Sequence, residues 1–377
     1  MKKSLFIMAL GAIALMSCSQ DEIIEVKQDA IAFSAFTENA SRATYKTSLG
    51  ESDNFIVYAR ENDGDGETTD LPYITGITAT TGGAGGGTGS FKLASTYYWP
   101  IKPLDFYCIS PAAPVGSATP EVNRISVSDN IPSISAYTVG SAHSEDLLYS
   151  VALGLKRGGD VGTAGCKVAV GSDGVAAINF RHALAMIQFQ FASDATYDLD
   201  VTVSSISLVN VAHVGTYSLP SVATSTKIEN TNSADVTDYS RGTWNSTNYE
   251  QTYTWTESHS ATVANKSTLG TTYFLLPQTV TAAEPKDADW SNAYFKIACV
   301  ISKDGVIVYS GDVQIPVTTP GQTYTWKEGY KYLYTFTFGK GGGYFPGSND
   351  PAIVPISFNV DVDEMIATEQ SVDVQVP

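Results

Sequence analysis

The chain has 377 residues, of which 22 are Lys or Arg and 39 are Asp or Glu, giving a formal charge of −17. That length suits two domains of ordinary size once a leader is subtracted. An acidic chain without clustered basic residues excludes nucleic acid as a partner, because phosphate recognition rests on grouped Lys and Arg.

The first residues read as an export signal. Lys2 and Lys3 precede the uncharged run LFIMALGAIALM (5–16), and the small residue Ser17 precedes Cys18. The run is too short to span a bilayer as a stable helix. The ending LMSC resembles a lipobox, in which the Cys18 thiol receives a diacylglycerol and becomes the new N-terminus after cleavage. Met16 is not the favoured residue at its position. The expectation is a lipoprotein at the cell envelope, attached to the outer membrane through Cys18.

From there on the hydrophobic period is two rather than 3.6. Short segments rich in Val, Ile, Thr, Tyr and Phe are bounded by Gly, Pro, Asn, Asp or Ser. They are IAFSAF (31–36), FIVYA (55–59), MIQFQF (186–191), VTVSSISLV (201–209), YFKIACVI (294–301), GVIVY (305–309) and YLYTFTF (332–338). The chain is therefore all-β, and two β-sandwiches suit its length better than one barrel. TGGAGGGTG (81–89), the polar stretch 221–248 and GKGGGYFPGSNDP (339–351) read as loops. The Gly/Asp turn within 171–179 marks the boundary between the two sandwiches.

No residue pattern points to catalysis. GxSxG and HExxH are absent, and His143, His182, His213 and His259 are scattered without metal-ligand spacing. His182, at the start of an apolar strand, reads as a hydrogen-bonded structural residue. The glycine run at 82–89 lacks the Lys-Ser/Thr ending of a phosphate loop. In ENDGDGETTD (61–70), aligning Gly66 with the turn glycine of an EF-hand puts Pro72 where the bidentate Glu belongs, so a solvated hairpin turn is the better reading. Neither cofactor nor metal is expected. Cys108, Cys166 and Cys299 are odd in number and lack CxxC spacing, which suits buried free thiols.

Several landmarks, taken in order, resemble the fimbrillins, the type V pilin subunits and pilin-like lipoproteins of Bacteroides-type bacteria. They are the lipoprotein signal, IAFSA (31–35), SRATY (41–45), TYYWP with LDFYCISP (96–111), FRHALAMIQFQ (180–190), YFLLPQTV (273–280) and WKEGYKYLYTFTF (326–338). Cys108 stands where Ala is commoner. The resemblance implies two tandem transthyretin-like β-sandwiches. It divides the chain into a signal (1–18), a propeptide carrying the first strand (19–42), and sandwiches at 43–178 and 179–377. It further implies that a surface arginine-specific protease cuts between Arg42 and Ala43. That cut takes the strand bearing Ile31 and Phe33 out of its sheet and leaves an adhesive edge.

A donor strand from the next subunit would refill the gap. Val372, Val374 and Val376 alternate with Ser371, Asp373 and Gln375 in the C-terminal segment 371–377, as such a strand requires. The partners so implied are neighbouring pilin subunits in a head-to-tail polymer and host or bacterial surface ligands. The location is the cell surface and its fimbria. The competing expectation is a lipoprotein that stays a monomer and binds glycan or host protein, with Tyr97, Tyr98 and Trp99 as an aromatic platform.

Overall fold

The computed structural model describes residues 30–37, 49, 53–62, 64, 72–81, 90–112, 125–128, 131–139, 146–159, 164–171, 173–220, 242–247, 249–285, 290–339, 343–346 and 356–364. Among these residues the regular structure is all β, in strands numbered β1 to β22 along the chain, with no α-helix.

The N-terminal strands are β1 (Ala32–Thr37), β2 (Asn54–Glu61), β3 (Pro72–Thr81), β4 (Ser90–Leu93), β5 (Leu104–Ser110), β8 (Leu148–Arg157), β9 (Val168–Val170) and β10 (Val175–His182). They form one eight-stranded sheet in the order β10-β1-β4-β3-β2-β5-β8-β9, and β10 also pairs with β8. Where the sequence suggests a first sandwich, the sheet thus closes on itself as a ring, with β9 hanging outside. Period-two alternation cannot tell the two apart, because both bury one face of each strand.

The ring is filled by aromatic side chains. Phe33 of β1 meets Phe55 and Phe106 edge-on, with centroids 5.7 and 5.5 Å away. Phe55 in turn contacts Phe91 and Phe180. In β5 all seven residues are buried. Leu104, Phe106 and Cys108 face the ring interior, while Tyr107 and Ile109 pack outward into a second core.

That second core fills a sandwich. One sheet runs β16 (Tyr273–Leu275), β11 (Ala185–Ser193), β21 (Tyr330–Phe338), β22 (Ile356–Glu364). The other runs β15 (Gln251–Ala261), β12 (Asp200–Val211), β18 (Tyr294–Lys303), β19 (Val306–Pro316). Phe189, Trp255, Phe295, Tyr334, Phe336 and Phe358 interlock between them.

A further sheet ties the halves together. Its order is β14 (Thr243–Thr247), β13 (Val214–Ser218), β7 (Ile131–Thr138), β6 (Ile125–Ser128), so strands from both sides of residues 171–179 share one ladder. The short pair β17 (Gln278–Thr281) and β20 (Thr323–Trp326) completes the topology. Two sequence expectations change here. β14 lies within the stretch read as loop, because Trp244 packs on Tyr217 and Tyr137. The boundary turn is shorter than expected, since β10 already begins at Val175.

Phe33 is fully buried and Ser34, its neighbour, is exposed. Phe33→Ala should lower the unfolding free energy by about 3–5 kcal/mol. Ser34→Ala should change it by no more than about 0.5 kcal/mol. Urea titration of both variants measures the contrast.

Candidate strand-exchange site

β1 is a single stave set between two others. It runs parallel to β10 over six residue pairs, Ala32↔Val175 to Thr37↔Phe180. On its other side it runs antiparallel to β4 over three pairs, Ala32↔Lys92 to Ser34↔Ser90. Ile31, Phe33 and Ala35 point inward and are buried. Burying an Ile and a Phe contributes roughly 2–3 kcal/mol each. Beyond Ser34 the strand pairs with β10 alone, so half of its track has two walls and half has one.

Contacts that do not involve β1 hold both ends of β10. At the Val175 end, Trp99 Nε1 donates to the Gly174 carbonyl at 2.9 Å, and the Trp99 ring lies edge-on to Phe106. Gly174 has φ +67°, and a Cβ there would lie 3.1 Å from Trp99 Nε1 and 3.3 Å from the Ala30 carbonyl. Only glycine fits that close approach without strain. The preceding segment also fixes the start of β1, since Ile31 N–H donates to the Tyr97 carbonyl at 2.8 Å.

At the other end, β10 joins β8 through Arg181↔Tyr149 and His182↔Leu148. His182 Nδ1 lies 2.8 Å from Asp146 Oδ2, both side chains buried, which is the structural histidine the sequence suggests. Ala183 N–H donates to Leu147 O, Trp244 Nε1 to Ala183 O, and Gly329 N–H to Leu184 O. Tyr149 OH reaches the buried Glu328 at 3.2 Å. Burial, and then the charge of Glu328, push the Tyr149 hydroxyl well above its ordinary value, so it serves as a neutral donor.

Lifting β1 out would therefore leave a slot one strand wide, with backbone groups of β10 and β4 exposed along it. Phe55, Phe91, Phe106, Ile178 and Phe180 belong to the core behind it. The slot is legible only in three dimensions. Gly174, Trp99, Asp146 and Leu147 act across long sequence separations, and no local pattern announces them.

Of the residues singled out from sequence, Ile31 and Phe33 lie in β1. Cys18, Arg42, Ala43, Val372, Val374 and Val376 lie outside the described residues. β1 ends at Thr37 and β22 at Glu364. The aromatic platform does not form, because Trp99 is buried in the ring core and Tyr97 is half-buried with its ring edge-on to Tyr73. Tyr98 alone is exposed. Of the acidic segment 61–70, Glu61, Asn62 and Gly64 are described, and Asn62 Nδ2 donates to the buried Asp105. His259 is buried against Phe191, and the His213 ring lies 3.9 Å from that of Tyr253. His143 is outside the described residues.

Cys108, Cys166 and Cys299 are all buried and free. Burial pushes the Cys108 thiol far above its ordinary value. Burial and the nearby Asp312 push Cys299 up to about 12.

A ring of strands with one separable stave, joined to a sandwich by a shared sheet, defines a class of all-β proteins suited to exchanging a strand. Residues 41–354 match the fimbrillin-like family, and the chain belongs to that family. No curated protein matches it. Among solved structures, a proposed cell adhesion protein from Bacteroides uniformis ATCC 8492 aligns at 17% identity and TM-score 0.45, covering 89% of this chain and 99% of that one. A fimbrial protein from Bacteroides vulgatus ATCC 8482 aligns at 13% identity and TM-score 0.44, covering 88% and 98%. The tip fimbrial protein Mfa3 from Porphyromonas gingivalis, with C-terminal truncation, aligns at 10% identity and TM-score 0.33, covering 88% and 98%. The family match, not these distant likenesses, carries the assignment.

Cys108 lies in β5 beside Ser150, one residue from the Tyr149↔Arg181 pair, and so near the Phe180 end of the slot. With Cys166 and Cys299 changed to Ser, maleimide should label the native chain slowly. Labelling should accelerate by about a hundredfold or more once β1 is released, as a buried neutral thiol becomes an exposed one. Mass spectrometry of timed samples reads both rates.

Proposed function

We infer that this chain is the precursor of a structural subunit of a surface fimbria. In this reading it is exported as a lipoprotein anchored at Cys18 in the outer membrane. A protease cuts between Arg42 and Ala43, and β1 leaves with the propeptide 19–42. The slot is then refilled by the strand bearing Val372, Val374 and Val376 of the next subunit. The ring and the sandwich are the two tandem transthyretin-like units of 43–178 and 179–377, joined at β10. The role is structural and adhesive, with no catalytic step.

The observation that carries this reading is the position of β1. It is the first described strand, it fills the middle of a ring held elsewhere by other contacts, and its chain continues toward Arg42. The three inward positions Ile31, Phe33 and Ala35 match in number and alternation the three valines of the C-terminal segment. Backbone pairing supplies affinity in such an exchange, and the alternate side chains supply register. A donor at one end of each subunit and an acceptor slot in the other give a head-to-tail contact that does not close, hence a filament.

Cleaved protein should form ladders in gels of unboiled samples, and Arg42→Ala should abolish them. Val374→Asp, which puts a charge on the apolar side of the donor, should reduce ladder formation by about tenfold or more. The mature N-terminus in cells separates the alternatives, because Ala43 marks a processed subunit and acylated Cys18 a retained lipoprotein. A cleaved protein that releases β1 yet stays monomeric at high concentration would overturn the reading.

A further inference from the structure

Both ends of the described chain that bear on strand exchange meet at the junction between ring and sandwich. β1 finishes at Thr37, opposite Phe180. β22 finishes at Glu364, opposite Tyr330, whose neighbour Gly329 donates to Leu184 O. Phe180 and Leu184 are only four residues apart. Three cross-strand steps of about 5 Å and five residues of chain therefore place Glu364 within about 35 Å of Thr37. This is also the one-walled half of the slot, where Ala35 to Thr37 pair with β10 and not with β4. The twelve residues from Glu364 to Val376 reach about 41 Å when extended. A chain that long passes Thr37 and enters the open half, but has little length left for the half walled by β4.

We propose that, once β1 has left, the chain's own C-terminal segment plugs the junction-side half of its slot until a neighbour's strand displaces it. The segment enters from the Thr37 end and runs antiparallel to β10, the reverse of β1. Its last valines, Val374 and Val376, cover the apolar opening beside Phe180 and Ile178. The plug is partial because the segment is short. A neighbour's segment has no such tether at this junction and can occupy both halves, so it wins once subunits are concentrated. Tethering supplies the plug at an effective concentration of about a millimolar. A freshly cut subunit is thereby kept from associating wherever its neighbours are dilute. This inference rests on the release of β1 in the proposed function.

The test uses chain carrying Cys18→Ser, Cys166→Ser and Cys299→Ser, with residues 40–43 replaced by the site of a sequence-specific protease. Release of residues 19–39 is confirmed by mass, and maleimide labelling of Cys108 is followed at nanomolar concentration. Three cleaved forms are compared: the full chain, a chain ending at Glu364, and a full-length chain with Val374→Asp and Val376→Asp. The plug predicts that the full chain labels about tenfold more slowly than the other two, independently of dilution. A synthetic peptide of residues 365–377 added in trans should protect the truncated form. Equal fast labelling of all three forms would overturn the plug while leaving the slot intact. Protection that disappears on dilution would assign it to neighbours and equally overturn the plug. Slow labelling of all three, with residues 19–39 still bound, would show that no slot opens, and would sink the proposed function together with the plug.

Discussion

The ring is completed by a strand from the very start of the described chain, and that closure constrains everything around it. β1 makes a parallel ladder on one side and an antiparallel one on the other, and it carries Phe33 into the middle of an aromatic cluster. A parallel neighbour cannot arrive through a tight turn. The partner of β1 must therefore come from far along the chain, and β10 lies nearly 140 residues later. The ring is consequently assembled from its two sequence extremes, and its last stave is the one with least chain holding it in place.

The opposite wall is built to stay. β10 is fixed at Gly174 by Trp99 and at His182 by Asp146, and it runs within three residues into β11 of the sandwich. Around Ala183 and Leu184 the backbone is bonded to Leu147, Trp244 and Gly329, which belong to three different regions of the fold. Buried polar groups such as Glu328 and Arg181 gather at this junction, where a satisfied network fixes one geometry. The contrast between a rigid wall and a replaceable stave is what turns an ordinary closed sheet into a candidate exchange site.

Much of this was legible in the sequence and some was not. Alternation in YFKIACVI and YLYTFTF located β18 and β21, whose buried positions follow period two. IAFSAF located β1. The distinction between ring and sandwich was hidden, because it depends on β10 pairing with both β1 and β8. Trp99 looked like a surface platform beside Tyr97 and Tyr98, yet its indole N–H is consumed by Gly174 across 75 residues. GVIVY gave the right strand, β19, but Val306, Ile307 and Val308 are exposed there, since apolar character alone does not say which strand lies at an edge. Trp244 formed a strand inside a polar stretch through contacts that only the fold supplies.

The direction of the β1–β10 ladder has a mechanical consequence. A strand bonded along its length to a fixed neighbour, when drawn along its own axis, strains all of its hydrogen bonds together, so they fail in shear and at high force. Drawn sideways, the same bonds break in succession under a small force. The strand occupying the slot lies along β10, which continues directly into the sandwich through Ala183 and Leu184. In the proposed filament, tension would run from the inserted strand to β10 and on to the next core along covalent backbone. Each joint would then resist stretching while still yielding to a transverse peel.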